Sequence, residues 1–249
     1  IRTPLKPMGQ LPADALALYD RTAERLLAAL DGRLPPGVDL LSVVTAYAYW
    51  VCLNADRAGA TWDGLLQQYS AEALTYAAAD WESEKNETAA LRRILGRVAG
   101  PVLDIGAGWG RLAPLYQAAE LHTVFVEPVV LGIRLMRRRG LSPAIRARGE
   151  HLPCVGNAFG STLIGWVLHH GAEGTDPVAV LKEAARVCAS NATLISVEPL
   201  SERFTEAEWI AMLTSAGFEV NELVHLADTR HHRRGPEVHK LAVCTRRSE

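Results

Sequence analysis

Residues 101–111 read PVLDIGAGWGR, an apolar run with one acid that passes into a segment of three alternating glycines. This pattern predicts a buried β-strand that turns sharply toward a helix, because glycine tolerates the left-handed backbone of such corners. We call residues 106–110 the glycine corner. Corners of this kind let a ligand approach the backbone closely, so the surrounding sequence has to indicate which ligand that is.

Short β-rich runs alternate with helical segments from residue 98 onward. Strands are predicted at 101–106, 122–128, 144–148, 161–168 and 192–199, and two more close the chain after residue 217. Asp176 followed by Pro177, and Thr205 paired with Glu208, predict the first turns of two intervening helices. Strands that alternate with helices imply an α/β fold, with a mostly parallel sheet covered on both faces.

Residues 1–97 show helical periodicity and no clear alternating strand, which predicts a separate N-terminal helical region. Its last two helices are expected at 61–80 and 86–98, and residues 98–249 are expected to form the second domain. The region holds eight of the twelve Trp and Tyr side chains, which favours an apolar or aromatic substrate cap. Ordinary helix packing is the alternative for each of them: Tyr19, Tyr47, Tyr49, Trp50, Trp62, Tyr69, Tyr76 and Trp81.

Composition excludes several classes of protein. The 249 residues are 49% hydrophobic and 22% charged with a formal net charge of −2, which is unlike a disordered chain or a polycation. The longest apolar stretch, at 40–53, is too short for a membrane span. Four separated cysteines without a CxxC pair indicate reduced thiols, a cytoplasmic location and no zinc site.

The acids near the glycine corner narrow the choice of ligand. The corner has GxGxG spacing, since Arg111 stands where a dinucleotide fingerprint has its third glycine. Asp104 would repel a pyrophosphate, but it suits a ligand that offers a cation or hydrogen-bond donors. Glu127, at the end of the next predicted strand, is placed to accept hydrogen bonds from a ribose diol. A ribose, a positive charge and no phosphate at the corner are features of S-adenosylmethionine (SAM).

Residues 98–245 resemble a class I SAM-dependent methyltransferase of the group that acts mostly on small molecules. VLDIGAGWGRL resembles the first motif of that family, FVEP its ribose-binding acid, and GEHLPCVGNAFGSTLIGWVLHH, EAARV, LISVEP and SAGFEV its later landmarks. The resemblance implies a Rossmann-like seven-stranded sheet with only the last strand antiparallel. It also implies SAM as cofactor, with contacts from the corner and the second strand: Gly106, Ala107, Gly108, Glu127 and Pro128.

The adenine contacts are expected to depart from the family pattern. The family often has an aspartate two residues before its Glu-x-Leu-Pro sequence, and Arg148 stands there in this chain. Adenine recognition is therefore expected from Gly149, Glu150 or His151. Trp166 is expected either to pack near the adenine or to fill the core.

Two adjacent histidines are the candidates for acid–base catalysis. His169 and His170 follow the fourth predicted strand, and ligands of parallel sheets bind at the carboxyl ends of the strands. Methyl transfer needs a general base only if the attacking atom must lose a proton, so a structural role is the alternative for both.

Two basic clusters could suggest other partners. RLMRRR, at 134–139, is interpreted as the solvated face and last turn of a helix. DTRHHRRGPEVH, at 228–239, could bind a substrate carboxylate, a phosphate or RNA, although the net charge speaks against RNA. The expected function is methyl transfer to a small apolar or aromatic metabolite. The alternatives are a tRNA or rRNA methyltransferase, and a non-methylating SAM-binding protein or cyclase. The oligomeric state is left open.

Overall fold

The structure, a computed structural model, describes residues 14–55, 61–231 and 235–247. Its helices are α1 (Ala15–Leu30), α2 (Leu40–Asn54), α3 (Trp62–Leu95), α4 (Ala113–Ala118), α5 (Val130–Arg138), α6 (Pro177–Val187) and α7 (Glu206–Ser215). Its strands are β1 (Val102–Ile105), β2 (Thr123–Val126), β3 (Ala144–Ile145), β4 (Phe159–Gly165), β5 (Cys188–Leu200), β6 (Phe218–His231) and β7 (Gly235–Arg246). A 3₁₀ helix, Leu168–Glu173, follows β4. None of the described helices combines the length and the apolar character that a bilayer span requires.

The chain groups into two compact units that divide between Glu84 and Lys85. The sequence predicts separate helices at 61–80 and 86–98, but the single helix α3 includes both segments. That prediction is wrong because residues 81–85, WESEK, contain neither glycine nor proline and include good helix formers. The predicted boundary between residues 97 and 98 lies after α3, and a substrate-capping role for the first unit stays a prediction.

Aromatic side chains of the first unit pack against each other. The Tyr47 ring lies edge-on to Trp50 and Tyr69, with centroid separations of 4.9 and 6.1 Å. Its hydroxyl donates to Asp80 at 3.1 Å, and burial, with the nearby Asp80 charge, raises the pKa of this hydroxyl. These contacts give Tyr47 the packing role that the sequence left open as an alternative.

The second unit is built on a seven-stranded sheet in the order β3-β2-β1-β4-β5-β7-β6. Strands β1 to β5 pair in parallel, and β7 runs antiparallel to both of its neighbours. Of the seven strands described, β7 alone is reversed, which confirms the predicted Rossmann-like α/β class with an antiparallel last strand. The carboxyl ends of β1, β2, β4 and β5 therefore meet along one edge of the sheet, which we call the carboxyl edge.

Apolar side chains cover both faces of this sheet. One core includes Leu91 of α3 and Met136 of α5, and the other includes Leu181 of α6 and Trp209 of α7. All four residues of β1 are buried, as expected for a central strand that is covered on both sides.

Local capping chemistry fixes two helix starts as the sequence predicts. The Asp176 carboxylate accepts hydrogen bonds from the backbone amides of Val178 and Ala179, with Pro177 at the first helical position. Thr205 and Glu208 form a reciprocal capping box at the start of α7. Both predictions are confirmed, because each depends only on residues two or three positions apart.

Strand β4 ends earlier than its sequence predicts. The predicted strand covers residues 161–168, but the extended backbone ends at Gly165 and Trp166 adopts a left-handed φ of +61°. Consequently His169 and His170 lie in the 3₁₀ helix rather than at the end of a strand. Strand β3 is also shorter than predicted, with two residues instead of five.

Helix α5 packs directly onto the glycine corner through Gly132, its third residue. A Cβ atom at this position would lie 2.4 Å from the Gly108 carbonyl oxygen and 2.8 Å from Cγ of Glu127. Both atoms belong to the segments that the sequence assigns to ligand binding, so any side chain here would force helix and corner apart.

We expect Gly132→Ala to destabilise the protein by about 1–3 kcal/mol because it overpacks a backbone contact. The usual effect of Gly→Ala inside a helix is stabilisation by about 1 kcal/mol, so the expected sign is reversed. Urea unfolding of the wild type and the variant measures the difference. Gly96→Ala is the control, since its Cβ would meet its nearest neighbour at 3.8 Å. Equal effects of the two substitutions would contradict the contact.

Candidate active site

The three glycines of the corner share a left-handed backbone, but their surroundings differ. Gly106, Gly108 and Gly110 have φ values of +78°, +57° and +78°, which side chains rarely tolerate. A Cβ at Gly106 would lie 2.3 Å from Cγ2 of Val167, so this glycine is required by packing. No described atom lies within 4 Å of the Cβ position at Gly108. Gly108 is therefore the place where a ligand can approach the backbone.

The backbone amides of the corner are already hydrogen-bonded within the protein. Gly106 and Ala107 donate to the Val126 carbonyl at 2.8 and 3.0 Å. Gly108 donates to the Glu127 carboxylate at 2.8 Å. A phosphate-binding loop directs such amides at its anion, so this arrangement agrees with the predicted absence of a phosphate at the corner.

Asp104 lies beneath the corner with 2% of its surface exposed. Burial raises the pKa of its carboxyl to about 7, and the Tyr116 hydroxyl and the Arg111 charge partly oppose that rise. The pKa of this carboxyl therefore lies close to neutral pH. A cationic ligand would favour its charged form.

An ion pair from α3 supports Arg111 beside Asp104. The Arg111 guanidinium donates to the Glu87 carboxylate at 2.8 Å, and Glu87 is almost fully buried. This pair fixes the cation that lowers the Asp104 pKa. Sequence reasoning missed Glu87, because it lies in a helix that carries no motif.

Glu127 links the end of β2 to the corner. Its carboxylate accepts hydrogen bonds from the amides of Gly108 at 2.8 Å and Val129 at 2.9 Å. Burial raises its pKa to about 7, although these two hydrogen bonds lower it. A carboxylate has about four lone-pair positions, so these bonds leave acceptor capacity for a ribose hydroxyl. Pro128 follows directly and leads the chain into α5.

The predicted adenine segment lies after β3. A Cβ at Gly149 would meet Ile105 and Val180 side chains at 3.1 Å, so this glycine lets the segment pack closely on the sheet. Glu150 accepts hydrogen bonds from Arg148 at 2.8 Å and from the Asp176 amide at 3.1 Å. These interactions lower its pKa against the opposing effect of burial.

His151, the third residue predicted to bind adenine, lies on the surface of the protein. His151 is exposed, whereas the neighbouring Leu152 amide donates to Glu183 at 2.8 Å. Arg186 of α6 donates to the Leu152 and Cys154 carbonyls at 3.0 and 2.8 Å. Helix α6 therefore fixes the backbone of this segment. The predicted roles of Gly149, Glu150 and His151 in adenine binding stay predictions.

A buried glutamate organises the loop after β4. Glu198, at the carboxyl edge of β5, is fully buried and accepts hydrogen bonds from the amides of Val167, Leu168 and His169. Its carboxylate also contacts Nδ1 of His169 at 2.8 Å. Sequence reasoning missed this role, although the signal was a single acid inside the apolar strand LISVEP.

Aromatic rings surround His169 at the carboxyl edge. The His170 ring lies 3.8 Å from the His169 ring, and Trp166 lies edge-on to His169 at 6.2 Å. Trp166 is also edge-on to the buried His239 at 4.8 Å, and its indole N–H makes no hydrogen bond to the described residues. Trp166 therefore belongs to this aromatic group, while its predicted contact with adenine stays a prediction.

Part of the second basic cluster lies outside the described residues. Residues 232–234 are not described, whereas Thr229 Oγ1 and His239 Nε2 lie 3.0 Å apart between β6 and β7. Within the described ranges, no group of three His, Cys, Asp or Glu side chains has a metal-binding arrangement.

Comparison with known proteins identifies the second unit. Residues 103–196 match the family described as "Methyltransferase domain". Residues 103–196 are thus similar to a methyltransferase domain. The match runs from β1 to residue 196 in β5, and so includes the glycine corner, Glu127 and both histidines. SAM is the cofactor that this similarity implies.

Solved structures show the same methyltransferase fold at low sequence identity. A SAM-dependent methyltransferase from Methanosarcina mazei superposes with a TM-score of 0.52 at 16% identity, covering 59% of this chain and 92% of that one. A SAM-dependent methyltransferase from Aquifex aeolicus gives 0.52 at 17% identity, covering 64% and 89%. An uncharacterized protein of Mycobacterium tuberculosis is 36% identical over 110 residues, which are 44% of this chain. The aligned segment is about a third (35%) of that relative's length.

The residues of this site fit SAM on two counts. Buried carboxylates stand at the ends of β1 and β2, which suits a ligand with positive charge and a ribose. Gly108 offers open space beside them, and the corner amides are engaged by protein acceptors instead of awaiting a phosphate.

We expect the affinity of the methyltransferase for SAM to weaken as pH falls below about 7. Asp104 and Glu127 have folded pKa values near 7, above unfolded values near 4, so protonation stabilises the free protein between those limits. A cationic ligand needs the charged carboxylates and must oppose that protonation. Calorimetric titrations between pH 6 and 7.5 should show up to about a tenfold loss per pH unit for each coupled group.

Asp104→Asn is the control for this pH dependence. The variant should bind SAM more weakly at pH 7.5 but lose part of the pH dependence, because one titrating carboxyl is gone. It should also unfold at a higher temperature at pH 8, since a buried charge is removed. A pH-independent affinity of the wild-type protein would contradict the role of these carboxyls.

Proposed function

We propose that the protein transfers the methyl group of SAM to a small aromatic or apolar metabolite whose attacking O–H or N–H group gives up a proton. The observation that carries the proposal is the contact between His169 and Glu198 at the carboxyl edge. This edge also holds the glycine corner, since Val167 of the same loop packs on Gly106. This contact supports a proposed base close to the proposed cofactor site.

The side chains of the protein are proposed to bind the cofactor and to orient the acceptor. SAM supplies an electrophilic methyl group, so the protein mainly aligns the acceptor and excludes water. Glu127 is proposed to hold the ribose, and Asp104 to favour the cationic part of the cofactor. The preformed hydrogen bonds of both loops reduce the reorganisation needed when the cofactor binds.

His169 is proposed to accept the proton of the attacking group. When its Nδ1 donates to Glu198, the lone pair of the neutral ring lies on Nε2. The buried carboxylate would then stabilise the imidazolium that forms on proton transfer. Glu198 is a positioning residue in this scheme, because it acts through the histidine. The contact with Glu198 is the reason that His169 is preferred of the two candidates.

The aromatic group around His169 supports the proposed class of acceptor. Trp166, His169 and His170 are each partly exposed at the carboxyl edge. Aromatic side chains bind planar apolar ligands through offset or edge-to-face contacts that add to area burial. A small aromatic acceptor could therefore lie against these rings with its attacking group near the histidine.

Substitutions in the His169–Glu198 pair test the proposed base. We expect His169→Ala to lower kcat by about 100-fold or more, within the usual range for loss of a general base. Glu198→Gln should lower kcat and shift the pH–rate profile, while the affinity for S-adenosylhomocysteine (SAH) stays within about twofold. His170→Ala should cost less than His169→Ala. Equal losses for both histidines would point to a shared packing role.

The proposed reaction itself is tested with SAM that carries a deuterated methyl group. The protein is incubated with panels of phenols, aromatic amines and their aliphatic counterparts, and products are detected by mass spectrometry. Transfer to an aromatic member, lost in Asp104→Asn and His169→Ala, is the expected result. Transfer only to an added tRNA or rRNA would favour a nucleic-acid acceptor. Tight SAH binding with no transfer to any acceptor would favour the non-methylating alternative.

A further inference from the structure

Arg139 reaches back from the end of α5 to the glycine corner. Its Nη1 donates to the Trp109 carbonyl at 2.9 Å and to the Gly110 carbonyl at 3.1 Å. The sequence analysis interprets residues 134–139 as the solvated face and last turn of a helix, and Arg139 is exposed at that end of α5. A helix-dipole preference explains a cation at this helix end, but it does not explain two hydrogen bonds to one loop.

The two carbonyls lie where the corner backbone is most constrained. Gly110 has a φ of +78°, and its own amide donates to the Ala107 carbonyl at 2.8 Å. The corner is therefore a tight turn, and its Gly110 carbonyl also accepts the amide of Ala113, the first residue of α4, at 3.2 Å. A guanidinium offers several donors in a fixed plane, so one Arg139 side chain can satisfy both oxygens and fix the peptide planes between them.

Other contacts of α5 act on the same corner. A Cβ at Gly110 would lie 2.4 Å from Cδ1 of Leu141 and 3.1 Å from Cγ of Met136. At the other end of α5, Gly132 abuts the Gly108 carbonyl, as described above. These apolar contacts limit how far the corner can approach α5. The arginine hydrogen bonds limit how far it can move away.

We propose that Arg139 is a positioning residue for cofactor binding, which holds the glycine corner in its ligand-accepting geometry against α5. This inference extends the SAM site to a residue outside the motifs, and it rests on the proposed cofactor site. Arg139 does not need to touch the cofactor. It acts through the Trp109 and Gly110 carbonyls on the backbone whose open position is Gly108.

The expected consequence is a loss of affinity without a comparable loss of stability. If the corner without its guanidinium keeps the competent geometry about a tenth of the time, the apparent Kd rises about tenfold. Arg139 is exposed, so its removal leaves no cavity in the core, and the unfolding temperature should change little. An arginine with only a surface role would change neither quantity.

Calorimetric titration of SAH into Arg139→Met, Arg139→Lys and Arg137→Met tests the assignment. Arg139→Met should raise Kd about tenfold, and Arg139→Lys should recover part of that loss because an ammonium can still donate to a carbonyl. Arg137→Met is the matched control, since it removes the same charge from the exposed last turn of α5. Amide hydrogen exchange should also accelerate at residues 106–110 in Arg139→Met alone.

The outcomes separate this inference from the proposed function. If the wild-type protein does not bind SAH, the proposed cofactor site fails and the inference fails with it. If the wild type binds and Arg139→Met binds equally well with unchanged exchange at the corner, the positioning role alone is overturned. A Kd increase shared equally by Arg137→Met would also overturn it, because net charge would then explain the effect.

Discussion

The hydrogen bonds of the Glu127 carboxylate to the amides of Gly108 and Val129 are the interaction on which the site depends. One oxygen fixes the glycine corner after β1, and the other fixes the entrance to α5 after β2. Two neighbouring strands and a helix are thereby joined at one buried charge. Removing the carboxylate would leave two amides without their acceptor, which is costly in a buried position. The glycine corner, Gly132 and Arg139 all depend on this junction.

Three acidic side chains at the carboxyl edge are buried. Asp104, Glu127 and Glu198 are each nearly or fully buried, and a protein pays for such burial in stability. Backbone amides compensate Glu127 and Glu198, whereas Arg111 and Tyr116 oppose the rise in the Asp104 pKa. Buried charges of this kind are common at functional sites, which agrees with the similarity of residues 103–196 to a methyltransferase domain.

The sequence predicts features that depend on local chemistry. The glycine corner, Asp176 before α6 and the capping box at Thr205 follow from a few adjacent residues, and the structure confirms them. The sequence does not predict contacts between distant segments. Glu198 finds its amides about thirty residues away, and Arg139 finds its carbonyls about thirty residues away, because the order of strands brings them together. Predicting such pairs requires the register of the sheet, which periodicity alone does not supply.

The crystal structure of the protein in complex with SAH tests the central claim most directly. The account predicts that the ribose hydroxyls lie within hydrogen-bonding distance of the Glu127 carboxylate, with the ligand passing over Gly108 and its amino-acid part toward Asp104. It also predicts unchanged hydrogen bonds from Arg139 to the corner. A ligand bound away from the carboxyl ends of β1 and β2, or a corner that rearranges to direct its amides at the ligand, would contradict the account.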